Sequence, residues 1–348
     1  MIKFSLKFLI IYSILATSFA FDTSKEIEAL NLEYNNYKNY PILIFDKDII
    51  SDLLTDSREE NISLIQKYMV SKFSIEVTKR EADTILDYHT IMNNSASALP
   101  FRDRQSSDYR FCAVFPSGAK TDHKQEVKRI LGITPDLNPY PKDTVEKVMS
   151  LMSLEELKLI SLYHELSHCL DKKFVPNEYD TSTHNIHMAE SFAESLAIMI
   201  VAMKFNFNGL ALRRSIVRGY YTRYMGNHIM NDDSLIVMHP GARAMGAVYY
   251  LSPVLLSVDQ LVSSYQFRRS NFTLDELNNL ALENTENYAL PSRTLAALVN
   301  FLKNGKQNSL EHYEDLYRSS PDLFYITYLN LKKEISFLED LDFLIDSF

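Results

Sequence analysis

Apolar runs bounded by helix-capping and helix-breaking residues predict that most of this chain is helical. Thr78-x-x-Glu81 forms a capping box, and it opens a segment that stays helical to about Met92. A second capping box, Ser153-x-x-Glu156, opens another helix. That helix is expected to run to about residue 173. Further helices are predicted at 121–131, 143–152, 188–205, 210–225, 242–265, 273–283 and 292–302, with a helical tail from about 310 to 348.

One segment is instead typical of a strand. Arg110–Phe115 is rich in apolar and aromatic residues, and Pro116-Ser117-Gly118 ends it as a turn. The polar stretch 93–97 is predicted to be a loop. The chain contains only eight glycines, so few positions suit the tight turns of β-hairpins. The expected fold class is therefore mainly α, of the α+β kind, with a small sheet.

The first 20 residues have the three-part pattern of a secretory signal peptide. Lys3 and Lys7 precede an apolar run from Phe8 to Ala16, and Ser18 and Ala20 place small residues before a cut after Ala20. The alternative is a membrane anchor, for which this run is short, because a spanning helix needs about 20 apolar residues. We therefore expect a secreted or periplasmic protein.

The charge of the chain argues against two kinds of partner. The formal net charge is −9, and removing residues 1–20 would take away two lysines and no acidic residue, which brings it to −11. An acidic chain without a basic cluster is a poor match for nucleic acid or an anionic membrane surface. The later run 196–203 is too short to span a bilayer and is predicted to be part of a buried helix. Oligomeric state is left open.

The two cysteines, Cys112 and Cys169, allow two interpretations. In an oxidising compartment they can form one disulfide, which would brace the helix that opens at Ser153 against the predicted strand. They can equally be two buried thiols. Neither is expected to bind a metal, since no C-x-x-C pair accompanies them.

A metal-binding pattern lies within the helix that opens at Ser153. His164 and His168 are four residues apart, so they project from the same face of a helix and can bind one Zn²⁺. Glu165 between them has the reach of a general base for the water that such a metal activates. The spacing therefore predicts a zinc-dependent hydrolytic site with one zinc per chain.

A third ligand is expected from the next helix. Glu190 follows His168 by 22 residues, and Glu194 lies one turn further along an apolar helix, where a buried carboxylate needs a partner. We assign Glu190 to the metal, and Glu194 to a hydrogen bond from the far nitrogen of a ligand histidine. Rival third ligands are Asp171, His184 and His187, although a loop-tethering role suits Asp171 better.

The stretch His164-Glu165-x-x-His168 followed by Glu190-x-x-x-Glu194 resembles the gluzincin branch of zinc metallopeptidases, the thermolysin-like and related families. The resemblance covers about 31 residues. It implies a zincin-like catalytic core with a small sheet and two metal-binding helices. The chain departs from the pattern at Glu194, where the branch usually has Asp.

Hydrolysis of this kind also needs a group that stabilises the oxyanion. Our first choice is His239, steadied by Asp232 or Asp233, as the resemblance implies. Tyr249 or Tyr250 can take the role instead. A guess for a residue that holds a substrate carboxylate is Arg243.

The sequence thus predicts an exported zinc metallopeptidase, more in keeping with an endopeptidase than an exopeptidase, that acts on a peptide or protein substrate. The alternatives are a secreted interaction protein that keeps a zinc site for structure and a helical protein with a coincidental motif. We expect an N-terminal helical region at 21–100, which is either a propeptide or part of the fold. A peptidase core follows at 101–305, with a helical tail at 306–348.

Overall fold

A small three-stranded sheet lies between two groups of helices in the computed structural model of the chain. The structure describes residues 23–35, 37, 40–91, 96–102, 109–118, 120–171, 173–174, 182–232 and 246–348. The prediction of a mainly helical fold with a small sheet is confirmed. The predicted signal peptide lies outside the described residues.

The strands are β1 (Ile42–Ile44), β2 (Ser97–Arg102) and β3 (Tyr109–Phe115). The helices before the predicted metal site are α1 (Thr23–Tyr34), α2 (Lys47–Leu53), α3 (Arg58–Phe73), α4 (Lys79–Ile91), α5 (His123–Ile130) and α6 (Thr144–Leu151). Those that carry and surround it are α7 (Leu154–Leu170), α8 (Thr183–Phe205), α9 (Leu210–Tyr220), a π-helical segment (Tyr221–Gly226) and α10 (Asn227–Asn231). The C-terminal helices are α11 (Ser252–Ser263), α12 (Tyr265–Arg269), α13 (Leu274–Tyr288), α14 (Ser292–Asn304), α15 (Lys306–Ser319), α16 (Pro321–Glu339) and α17 (Leu341–Asp346).

The strand order is β1-β3-β2, which makes the predicted strand β3 the centre of the sheet. β1 runs parallel to β3, with Ile42 opposite Cys112. β2 runs antiparallel to β3, with Ser97 opposite Phe115, so Ser97 belongs to a strand and not to the predicted loop. Residues 92–95 of that loop lie outside the described part of the chain.

Both faces of the sheet are covered by helices, and this explains why β1 and β3 are apolar without alternation. Ile42, Ile44, Cys112 and Val114 face the larger core, which includes much of α7 and α8. The neighbouring residues along the same strands face a smaller core formed with α3 and α4, and these are Leu43, Phe45, Phe111, Ala113 and Phe115. The metal-site helix α7 therefore packs on one side of a sheet that is buried on both sides.

Helix starts follow the capping residues closely. Both halves of the capping box of Ser153 and Glu156 are present, as predicted, and α7 begins immediately after Ser153. α5 begins two residues later than predicted because the Asp122 side chain accepts a hydrogen bond from the backbone N–H of Gln125. α8 begins five residues earlier than predicted, since Ser182 is its N-cap.

Three long predicted helices are interrupted. The prediction of one helix over 242–265 is wrong in its described part, because the chain turns at Tyr249 and α11 begins at Ser252 with Pro253 in its first turn. Segment 210–225 is α9 followed by the π-helical segment. The predicted tail divides into three helices, and Pro321 opens the second of them.

Helix α8 is long and apolar enough to cross a membrane by length and composition. Of its most apolar window, 72% is buried inside the fold, which is the pattern of a core helix. Among the described residues, α8 alone meets this test. The prediction that 196–203 is part of a buried helix is confirmed.

Candidate metal centre

The metal-binding pattern lies at the contact between α7 and α8. α7 is covered almost all round, by the sheet on one side and by α8 on another, and His164 is itself buried. His168 lies one turn further along α7, and Glu190 faces both histidines from α8. The residues predicted as the three metal ligands are therefore brought together by helices whose starts are fixed by Ser153 and Ser182.

The three side chains point their donor atoms at one another. Nε2 of His164 lies 3.2 Å from Nε2 of His168. Oε2 of Glu190 lies 3.2 Å from Nε2 of His164, and Oε1 lies 3.6 Å from Nε2 of His168. One ligand atom from each residue lies within 4.8 Å of the others. Two imidazoles and a carboxylate in this arrangement can hold a metal ion.

Glu194 stands behind the group of three and is fully buried. Its Oε2 lies 2.8 Å from Nδ1 of His164, at an angle outside that of a regular hydrogen bond. The same carboxylate receives Nε of Arg214 and both Nε and Nη2 of Arg218. Two guanidinium groups therefore neutralise a carboxylate that would otherwise be too costly to bury.

Charge coupling within this cluster shifts the pKa values. Burial acts to lower the pKa of His164, but the carboxylates of Glu190 and Glu194 outweigh it and raise the pKa to about 9. Burial acts to raise the pKa of Glu190, yet the neighbouring histidines and Arg218 lower it to about 2. A protonated His164 thus supplies a positive charge beside these two carboxylates.

An open cavity of about 660 Å³ reaches this group. Glu165, partly exposed, lies in the cavity wall beside His164, His168 and Glu190. The other walls come from α4, β2, the end of α5, α9 with the π-helical segment, and the turn before α11. Among their residues are Tyr88, Ala98, Arg129, Arg214, Tyr221 and Tyr249. A carboxylate next to the metal ligands is thus accessible from outside.

The rival third ligands are not part of the group. Asp171 accepts hydrogen bonds from the backbone N–H groups of Lys173 and Phe174, which is the loop-tethering role predicted for it. His187 is buried, with Nδ1 2.9 Å from the carbonyl oxygen of Val248 and Nε2 accepting from the N–H of Leu290. Both its ring nitrogens are therefore occupied. His184 does not join the described ligand group either.

The predicted oxyanion residues divide into three cases. Three of the predicted site residues lie outside the described residues: His239, Asp233 and Arg243. Oδ2 of Asp232 lies 3.9 Å from Nε2 of His228. The Tyr250 hydroxyl is buried and donates to Glu334, away from the cavity.

Tyr249 lines the cavity, and its ring packs edge-on against Tyr221 with 5.7 Å between the centroids. The charge of Glu190 and then burial raise the pKa of Tyr249, and Glu165 acts in the same direction. Its hydroxyl group therefore stays protonated.

Cys112 and Cys169 form a disulfide, which decides between the two interpretations of these residues. The bond joins the central strand β3 to the last turn of α7, next to His168. Tyr40 adds a second link at this point, since its hydroxyl donates to the carbonyl oxygen of Cys169. The C-terminal end of the metal-site helix is thus held to the sheet by one covalent bond and one hydrogen bond.

Sequence reasoning missed the arginines behind and beside the site. Arg214 and Arg218 are four residues apart on α9, a spacing that puts both on one face. That spacing was the available signal, but their partner Glu194 is 20 and 24 residues away in the chain. Arg129, which lines the cavity from α5, has a local signal only in its i, i+3 spacing from Glu126, and that spacing does not point to the metal site.

In comparisons with models of protein families, with curated proteins and with solved structures, no significant match to this chain was found.

Proposed function

We propose that this chain is an exported, zinc-dependent metallopeptidase that hydrolyses peptide bonds. The observation that carries the proposal is the meeting of His164, His168 and Glu190 beside the accessible carboxylate of Glu165 in the wall of an open cavity. Structural zinc sites are generally closed by four protein ligands, whereas catalytic sites have three and keep a position for water. The described residues supply three.

The donor set suits zinc and the chemistry follows from its neighbours. When bound, zinc supplies a Lewis acid that lowers the pKa of water and polarises a carbonyl group. Glu165 is the general base in this proposal: it takes a proton from the attacking water and delivers one to the leaving amine. Glu165 is partly exposed and lies in the wall of the 660 Å³ cavity, which has room for a water molecule and a substrate carbonyl.

Tyr249 is the described residue that we assign to the oxyanion. Tyr249 lines the same cavity as Glu190 and Glu165, and its protonated hydroxyl group can donate a hydrogen bond to the oxygen where negative charge develops. Its packing against Tyr221 limits its movement. The sequence-based prediction that His239 stabilises the oxyanion stays a prediction, since His239 lies outside the described residues.

The resemblance to gluzincins enters as part of the proposal. It is supported by two packed helices that carry the histidines and the glutamate, by Glu194 next to His164, and by a small sheet against the first of these helices. We accordingly propose a zincin-like core, with Glu194 in the position where that branch usually has Asp.

We also propose that residues 21–100 belong to the mature enzyme and not to a propeptide. Within this range, β1 pairs with the central strand β3, and Tyr88 and Ala98 line the cavity. Sequencing of the N-terminus of the exported, active form tests this point. A first residue at or near Phe21 is expected, and a first residue beyond 100 would refute it.

The central experiment combines metal analysis with one substitution. Purified protein without residues 1–20 is expected to contain about one zinc per chain and to cleave casein or a peptide library. Glu165→Gln is expected to retain zinc and to lose activity by about 100-fold or more, since general base catalysis contributes at least that factor. Glu155→Gln, the same change earlier on α7 and away from the cavity, is the matched control.

Each outcome separates one hypothesis from another. Absence of zinc binding refutes the metal site. Zinc binding without hydrolysis by the wild-type protein supports the alternative, a non-catalytic zinc-binding interaction protein. Equal activity of wild type and Glu165→Gln refutes the assignment of the base but not of the metal.

A further inference from the structure

Three arginine side chains line the cavity that contains the metal ligands. Arg129 comes from α5, and Arg214 and Arg218 come from α9. Each guanidinium group needs a counter-charge in so buried a place. How their nitrogen atoms are used shows which of them can still bind a ligand.

The Arg129 guanidinium is bound through two of its nitrogens, and its Nη1 has no hydrogen bond to a described residue. Its Nε and Nη2 donate to Oε1 of Glu126 at 3.1 and 2.5 Å, and Nη2 also donates to Oγ of Ser161 at 3.0 Å. These bonds use both hydrogens of Nη2. Nη1 makes no hydrogen bond to any residue that the structure describes. Ser161 is one turn before Glu165 on α7, so this guanidinium lies close to the proposed base.

Arg214 has even more unused donor capacity. Only its Nε is bound within the described part of the chain, to Oε1 of Glu194. Arg218 differs, since both its Nε and its Nη2 contact Glu194 and its guanidinium lies 5.5 Å from the ring centre of Tyr249. Arg218 thus also keeps Nη1 without a hydrogen bond to a described residue, but its guanidinium lies beside the Tyr249 ring. Arg129 and Arg214 have Nη donors that no described residue or aromatic ring occupies.

The charges of these two arginines act on one another. Burial lowers the pKa of Arg214, and the like charges of Arg218 and Arg129 act in the same direction, against the opposing charge of Glu194. Arg129 also acts to lower the pKa of the buried Lys47, after burial itself. Positive charges are thus concentrated beside the metal ligands, and an anion between the two guanidinium groups would relieve their repulsion.

We propose that Arg129 and Arg214 form a subsite for a carboxylate of the substrate. Planar guanidinium groups with free Nη donors match a carboxylate in geometry and charge. Glu126 and Glu194 hold the two groups from behind, so little freedom is lost when the ligand binds. That the ligand belongs to a peptide rests on the proposed function; the carboxylate is either the C-terminus or an Asp or Glu side chain.

Calorimetric binding to metal-free Glu165→Gln tests the subsite independently of catalysis. Three peptides of equal length are compared: one with a free C-terminal carboxylate and an internal Gln, one with a C-terminal amide and an internal Glu, and one with an amide and an internal Gln. We expect at least one anionic peptide to bind about tenfold or more tightly than the uncharged one, since a hydrogen bond to a charged group is worth at least that factor.

The order of the two anionic peptides identifies the source of the carboxylate. Tighter binding of the free C-terminus indicates a carboxypeptidase-like preference, and tighter binding of the internal Glu indicates selection of an acidic side chain. The first result would alter the expectation of an endopeptidase and leave the zinc site unaffected.

Substitution of Arg129 shows whether the preference arises at the subsite. Arg129→Gln, added to Glu165→Gln, is expected to bring the affinity ratio of anionic to uncharged peptide close to one. Because this change leaves Glu126 buried without its cation, the double change Glu126→Gln and Arg129→Gln is prepared as well. Lys124→Gln, which removes an exposed positive charge from the same helix, is expected to keep the ratio.

The subsite is refuted if the three peptides bind alike or not at all, or if both Arg129 variants keep the preference while circular dichroism shows them folded. Neither result bears on zinc content or on cleavage of uncharged peptides. Conversely, a protein that binds anionic peptides but never cleaves them retains the subsite and loses the peptidase assignment.

Discussion

Oε2 of Glu194 lies 2.8 Å from Nδ1 of His164, and the same carboxylate is bound by two arginines. Glu194 therefore contacts a predicted metal ligand on one side and neutralises Arg214 and Arg218 on the other. A single side chain couples the metal centre to the proposed carboxylate subsite.

Glu194→Gln is expected to weaken both functions of this residue. Zinc affinity should fall about 10- to 100-fold, as is found when the residue that orients a metal-binding histidine is changed. The metal-free protein should lose about 3–5 kcal/mol of stability, since two guanidinium groups stay buried without their anion. Competition with a chelator measures the first effect and urea unfolding the second.

The exposed Glu28 provides the control for that experiment, because Glu28→Gln changes the charge equally without touching the site. Unchanged zinc affinity and unchanged unfolding in the Glu194 variant would show that neither the imidazole nor the arginines depend on this carboxylate.

The disulfide gives a second prediction. It closes a loop of 57 residues between Cys112 and Cys169, and loop-closure entropy of that size corresponds to about 4 kcal/mol. Reduction of the metal-free protein by a phosphine, or the double change to serine, should lower the free energy of unfolding by roughly this amount. Zinc affinity should fall as well, because Cys169 follows His168 directly.

Equal urea midpoints for the oxidised and reduced protein would contradict this account of the disulfide. The phosphine reductant matters because thiol reductants bind zinc themselves and would confuse the second measurement.

Much of the site could be predicted from the sequence because its signals are local. Two histidines and a glutamate within five residues of one helix need no tertiary information, and the capping box at Ser153 marks where that helix begins. The prediction of Glu190 as a ligand required one further inference, that the next helix is buried and that a carboxylate on it needs a partner. The fold class followed from the same capping signals and from the scarcity of glycine.

The remaining features depend on contacts between distant segments. β1 is only three residues long and buried on both faces, so it lacks the alternation that marks a strand. Arg129 pairs with Glu126 within α5, but its hydrogen bond to Ser161 and its place in the cavity wall depend on how α5 packs against α7. The break at Tyr249 lies in an apolar segment that by composition alone continues as a helix.

Acid pH is expected to destabilise the fold through His89. Burial, aided by the charge of Lys47, lowers its pKa from 6.5 to about 4. The unfolded chain therefore binds this proton more readily than the folded chain does. Stability that is present above about pH 6.5 is lost as the pH falls towards 4, by up to about 3 kcal/mol. Urea unfolding at pH 7.5 and pH 4.5 measures the loss.

The variant His89→Gln should lose less stability over this range than the wild type, whereas the exposed His312→Gln should behave as the wild type does. His187, with its pKa also lowered to about 4 by burial, accounts for a further part of the acid effect. A loss for His89→Gln as large as the loss for the wild type between these two pH values would contradict the prediction.

A close backbone contact between Gly226 and Gly246 leads to the last prediction. A Cβ atom on Gly246 would lie 2.5 Å from Cα of Gly226 and 3.0 Å from its carbonyl carbon, so the two segments would have to separate. Gly246→Ala is expected to cost about 1–3 kcal/mol of stability, the range for overpacking. Because Gly246 is three residues before Tyr249, the same change should displace the Tyr249 hydroxyl group and lower kcat more than it raises KM.

Gly118→Ala, whose added atom would be 3.6 Å from its nearest neighbours, should leave both stability and kcat unchanged. Equal kinetics for the two alanine variants would exclude Tyr249 from the reaction or show that the contact can relax.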